Sequence, residues 1–150
     1  MQLREASVTG PRMARIDGRA LEAVRTAVWH HLLAPALDTG GEAPSPAAVR
    51  AAREAVALLE RLGWPGDPVA PAPMVEEEDV RLVMRAGRAC LLCGEDLARD
   101  LVALPPGTDG RSRAEQARRE LARGRQVVTC LDRGRRAAQA PAGREGSASR

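Results

Sequence analysis

Apolar residues recur at three- and four-residue steps over three stretches of the chain, the spacing that puts side chains on one face of an α-helix. In the first stretch Leu21, Val24, Val28 and Leu32 follow Asp17, a good N-cap, and Pro35 stands near the end, which predicts helix one over 18–34. In the second, Ser45 and Pro46 form a cap and first-turn pair ahead of a Val49, Ala52, Val56 and Leu59 stripe, and Gly63 stands where a helix C-terminus favours positive φ. The intervening Thr39-Gly40-Gly41-Glu42-Ala43-Pro44 is turn chemistry. Residues 17–63 are therefore expected to form a helical hairpin.

Residues 64–75 break the pattern. Four prolines between Trp64 and Pro73 cannot hold a helix and predict a semi-rigid connector. Beyond it, Glu76, Glu77, Glu78 and Asp79 complement the positive end of a helix dipole, and Val80, Val83, Met84, Gly87 and Leu91 share a face, predicting helix three over 76–91. Cys90-Leu91-Leu92-Cys93-Gly94 ends or interrupts it, and the pattern resumes through Leu97, Leu101 and Leu104 before Pro105-Pro106-Gly107. One bent helix and a helix-knuckle-helix both satisfy this spacing.

Ser112 to Glu115 forms a capping-box pattern and Gly124 a terminator, giving helix four over 113–123 with a thin apolar side of Ala114, Ala117 and Leu121. Gln126 to Leu131 is a β-branched run expected as a strand or buried extended segment. Residues 1–16, with Gly10-Pro11, read as an irregular lead, and 132–150, composed of Arg, Ala, Gly and Ser without period, as a disordered arginine-rich tail. The fold class that follows is mainly α: a small helical bundle of three to five helices, at most one short strand, and disordered termini. Residues 76–131 carry its second helical region, and one domain accounts for the 150 residues.

Composition changes this picture little, but it disciplines the reading of charge. All 23 basic residues are Arg, while Lys, Phe, Tyr and Asn are absent and Ile occurs once, a bias expected of a very GC-rich genome such as an actinobacterial one. Arginine content by itself is thus no sign of nucleic-acid binding. No stretch approaches the roughly 20 apolar residues of a membrane helix, and Met1 to Arg15 lacks the apolar core of a signal peptide. A cytoplasmic protein without membrane partners is expected, with its three cysteines reduced or metal-bound.

Cys90 and Cys93, followed by Gly94, have the C-x2-C-G form in which a two-residue spacer lets both thiolates reach one tetrahedral ion. With Cys130 as a third thiol, residues 88–133 resemble half of a zinc-ribbon or treble-clef knuckle. The resemblance implies a structural zinc held by Cys90, Cys93 and Cys130. The second ligand pair of such sites is incomplete here, so the fourth ligand falls to Asp132, to His30 or His31 from helix one, or to a partner chain. Two other readings stand beside zinc: buried thiols acting as small hydrophobes, and redox chemistry. Redox is disfavoured because Cys90 falls late in a helix, where the dipole does not lower its pKa.

Arg111, Arg113, Arg118, Arg119, Arg123, Arg125, Arg133, Arg135 and Arg136 set nine positive charges against Glu115, Glu120 and Asp132, a local net of +6. Such a segment would bind phosphates electrostatically and without sequence preference. It contains no aromatic residue to stack on bases, which argues against a single-strand platform. His30 and His31 project about 100° apart on a helix and cannot chelate as a pair, and Trp29 is expected to pack.

No catalytic triad or phosphate-cradling glycine loop is present. The expectation is a non-enzymatic, nucleic-acid-associated or regulatory protein with a structural zinc. The alternative is a helical interaction or dimerisation module, its arginines meeting an acidic protein or its stripes pairing in a homodimer.

Overall fold

The computed structural model describes residues 13–68 and 73–139, the side chains of 135–139 excepted. The lead before Met13, part of the proline-rich connector and the tail beyond Gln139 lie outside the described residues. In chain order come β1 (Met13–Arg15), α1 (Gly18–Val28), a π-helical turn (Trp29–Leu33), a one-turn α2 (Ala34–Leu37), α3 (Pro46–Leu62), β2 (Met74–Glu76), α4 (Glu77–Val102) and α5 (Arg111–Gln139). Among the described residues this is a mainly α bundle with one two-stranded sheet.

Two of the three expected N-caps act where the sequence placed them; the Ser112–Glu115 box does not, since α5 already begins at Arg111, whose amide donates to Asp109 Oδ1 at 3.1 Å. The Asp17 carboxylate accepts from the Arg19 amide at 3.1 Å, and Ser45 Oγ accepts from the Ala48 amide at 3.1 Å with Pro46 in the first turn. Gly63 ends α3 at φ +90°, and a Cβ there would also collide with the Arg25 guanidinium. Arg25 is only 3 % exposed; its Nε donates to the Leu62 carbonyl at 2.8 Å and its Nη1 to the Asp67 carbonyl at 3.1 Å. A guanidinium thus caps the negative end of α3 and ties it to α1.

Leu21, Val24 and Val28 of α1 meet Leu58, Leu59 and Leu62 of α3, Val80 and Val83 of α4, and Val127 and Leu131 of α5 in one buried core. β1 and β2 pair antiparallel with Ala14 opposite Val75, both buried, and the Ile16 amide donates to the Pro73 carbonyl at 3.0 Å. β1 lies inside the segment read as lead, and β2 takes the last two residues of the connector together with Glu76, read as the start of helix three. Three residues are too short a run to stand out from sequence alone.

The largest departure is α5. Helix four, expected to stop at Gly124, continues to Gln139, so the run 126–131 is helical and not a strand, and the first residues of the expected tail, Asp132 onward, belong to the same helix. Two causes account for it. Gly124 has no positive φ; its missing side chain instead admits α4, for a Cβ there would stand 2.7 Å from Leu91 Cγ and 2.9 Å from the Gly87 carbonyl. Val127 and Leu131, four apart and both fully buried, gain more from core burial than β-branching costs in helix propensity.

α4 is one uninterrupted helix through Cys90, Cys93 and Gly94. Gly87 and Gly94, two turns apart, let it approach α5 closely: Cβ atoms there would stand 2.8 Å from Val127 Cγ1 and 2.6 Å from Leu121 Cγ. Asp79 in its first turn is 6 % exposed and pairs through both oxygens with Arg61 of α3. No helix among the described residues is long and apolar enough to cross a membrane.

Candidate metal centre

Pro35 has no amide hydrogen to give the His31 carbonyl one turn back, and its ring crowds that position. The helix widens just before it, with the Ala34 amide reaching the Trp29 carbonyl five residues earlier. Such π-turns often occur at functional sites. This one carries His31 over the seam between α4 and α5, while His30 is exposed. Trp29 of the same turn packs edge-on against Trp64, ring centroids 5.8 Å apart.

At that seam His31, Cys93 and Glu120 present ligand atoms that all lie within 4.8 Å of one another. His31 Nε2 is 2.9 Å from Glu120 Oε2, and Arg123 Nη1 donates to Glu120 Oε1 at 2.7 Å. The Cys90 thiol, one helical turn before Cys93, lies near enough for the Glu120 charge to act on it. Glu120 is 9 % exposed, so a carboxylate sits nearly buried at the meeting point of three elements.

The charges follow from that burial. Burial, and then the Glu120 charge, push the Cys90 thiol up to about 12, and the same causes raise Cys93. Burial works to raise Glu120 as well, but the hydrogen bond with His31 and the charge of Arg123 outweigh it and hold the carboxyl below its ordinary value. The cluster therefore rests with neutral thiols and an ionised carboxylate at neutral pH. Raised thiols are the opposite of what a nucleophilic or redox cysteine requires.

The donor set suits a borderline-soft divalent ion: imidazole nitrogen, thiolate sulfur and carboxylate oxygen are the ligands zinc takes. Zinc bonds of about 2.0–2.3 Å set tetrahedral ligands roughly 3.3–3.8 Å apart. A group already within 4.8 Å closes to that spacing by ångström-scale side-chain movement. Two thiolates, one carboxylate and a divalent cation sum to a single negative charge, which Arg123 beside Glu120 balances.

Of the residues the sequence singled out, the structure brings Cys90, Cys93 and His31 together and leaves the others elsewhere. Cys130 lies beside Asp17, ten residues and about 15 Å along α5 from Glu120, pushed up to about 11 by burial and then by the Asp17 charge, and Asp132 is exposed. Cys90 and Cys93 meet as an i, i+3 pair on a helix instead of in a turn. Glu120 is the residue that sequence reading passed over, counted only as a charge among arginines. Its signal was available: it follows Ala117 by three and precedes Leu121 and Gly124, on the inward face of α5.

The arginines separate into groups. Arg111, Arg113, Arg118 and Arg119 lie exposed, Arg111 beside Asp109 at 3.7 Å and Arg119 paired with Glu115 at 3.1 Å. Arg123 turns inward to Glu120. Arg125 and Arg133 line a cleft against α1, while the side chains of Arg135 and Arg136 lie outside the described residues. No protein family, curated protein or solved structure matches this chain.

Proposed function

We propose that this is a small non-enzymatic helical protein that binds one zinc ion through His31, Cys93 and Glu120, with Cys90 as fourth ligand, the ion fastening the π-turn to α4 and α5. The carrying observation is the convergence of nitrogen, sulfur and oxygen donors from three separate elements within 4.8 Å. Arg123, hydrogen-bonded to Glu120 Oε1, orients the carboxylate as an outer-shell partner does. Zinc content of untagged protein purified under reducing conditions tests this. One equivalent per chain is expected, lost in His31→Ala and in Cys93→Ser and kept in Cys130→Ser. No zinc, with helicity unchanged by a chelator, refutes it.

A second reading, association with nucleic acid, is favoured by Arg113 and Arg118, which are exposed on α5 with no ion-pair partner among the described residues. Contact would be with phosphates, each one neutralised steepening the fall of log K with log salt by about 0.9 on duplex DNA. Absence of duplex binding at low salt in a gel-shift titration refutes this reading and leaves the zinc site untouched.

A further inference from the structure

Between β1, the start of α1 and the second half of α5 lies a cleft of about 600 Å³ that the zinc reading does not use. Its walls carry four arginines, Arg15, Arg19, Arg125 and Arg133, against a single carboxylate, Asp17. None of the four guanidinium groups has an ion-pair partner among the described residues, although Arg61 and Arg123 elsewhere do. That carboxylate is already engaged by the Arg19 amide. The cleft is therefore a concave surface of net charge +3 whose cations lack anions.

The walls are fixed independently of any ligand. Gln126 Nε2 donates to the Arg19 carbonyl at 3.1 Å, joining α5 to α1. Gly134 packs so close to the Arg15 backbone that a Cβ would collide with its carbonyl oxygen, joining α5 to β1. Arg125 and Arg133 leave α5 eight residues apart, about 12 Å along the axis at 1.5 Å per residue.

We infer that the cleft binds an oligophosphate, a ligand with two or more phosphates in a chain. Guanidinium groups hold phosphate oxygens through paired hydrogen bonds, and cations spread over about 12 Å suit linked phosphates better than one. The volume falls inside the range of about 300–1,000 Å³ typical of small-molecule sites. The phosphates belong either to an inorganic chain or to a nucleoside di- or triphosphate, and the cleft chemistry is the same for both.

Titration calorimetry at physiological salt with inorganic triphosphate and with ATP tests the inference on full-length protein. Saturable one-to-one binding of triphosphate is expected, weakened at least tenfold in Arg125→Gln/Arg133→Gln. The control Arg113→Gln/Arg118→Gln, which removes the same charge from the same helix outside the cleft, should change it less than twofold. All four side chains are exposed, and circular dichroism of each variant checks that it is folded; Arg15→Gln provides a second test from the opposite wall. ATP binding tighter than triphosphate identifies a nucleotide, and equal binding identifies the phosphate chain alone. Absence of saturable binding at millimolar triphosphate, or equal loss in the control, overturns the inference.

Discussion

Alanine at position 124 sets helix propensity against packing, and the two effects have opposite signs. In an exposed helix the change from glycine stabilises by about 1 kcal/mol. Here the new Cβ would stand 2.7 Å from Leu91 Cγ, 2.8 Å from Leu91 Cδ2 and 2.9 Å from the Gly87 carbonyl. A leucine rotates away; a carbonyl bonded within α4 does not, so the helices must separate. Overpacking of this kind costs about 1–3 kcal/mol, and the backbone contact places it at the upper end. The net is a destabilisation of about 2 kcal/mol, a fall in Tm of roughly 4–8 °C for a chain of this size. Because Glu120 lies one turn from Gly124 and Cys90 one turn from Gly87, zinc affinity should fall as well. Thermal unfolding by circular dichroism, with and without chelator, measures both. A Tm raised by a few degrees would show that α4 and α5 do not meet at Gly124, and the reasoning for the seam would fail with it.

The remaining predictions address the same framework. Arg25→Met leaves the Leu62 and Asp67 carbonyls without their donor and should cost about 2–4 kcal/mol in denaturant unfolding; a loss below 0.5 kcal/mol, the size of an ordinary surface change, would deny the cap. Ser45→Ala removes the Oγ acceptor of the Ala48 amide and should cost about 1 kcal/mol, whereas Ser45→Asp should keep the stability. Cys130, held at about 11 against an ordinary 9.0, carries about a hundredfold less thiolate near neutral pH, so its alkylation should be at least that much slower than that of free cysteine. Zinc should protect Cys90 and Cys93 from alkylation and leave the rate at Cys130 unchanged; protection of all three would return Cys130 to the ligand set. Excess zinc at a hundred times its Kd should stabilise the fold by about 2.7 kcal/mol.

What the sequence made legible was whatever repeats along a helix. The stripe of α1, the caps at Asp17 and Ser45 and the stop at Gly63 are local, each decided by residues within a turn or two, and they stand where the pattern put them; in α3 only Leu59 of the expected stripe is fully buried, the core face running through Ala55, Leu58, Leu59 and Leu62. Gly94 and Gly124 were read by the same local logic, as a knuckle and a stop, yet their role is set by the other helix. Glycine in a helix weakens it alone and favours it where a second helix must come close, and no single-chain pattern distinguishes the two cases.

The cluster illustrates the same limit from the side of chemistry. C-x2-C marks two thiols that can face one way, and on a helix an i, i+3 step does so as well as a turn does. The spacing therefore named the pair without naming its surroundings. His31 enters because Pro35 widens the helix behind it, and Glu120 because an acidic side chain on the inner face of α5 meets a histidine from one neighbour and an arginine from its own helix. His31 and Glu120 lie 62 and 27 residues from Cys93 in sequence; the antiparallel pairing of α4 and α5 brings Glu120 to it, and the packing of the π-turn over their seam brings His31. A nearly buried carboxylate hydrogen-bonded by a histidine and an arginine is costly to assemble unless both partners are present. Exchanging Glu120 for Gln keeps the shape and removes the charge: if the cluster serves only to join the helices, Glu120→Gln should lower stability whether or not zinc is added, whereas a ligand role requires that the zinc-dependent gain in stability be lost with it.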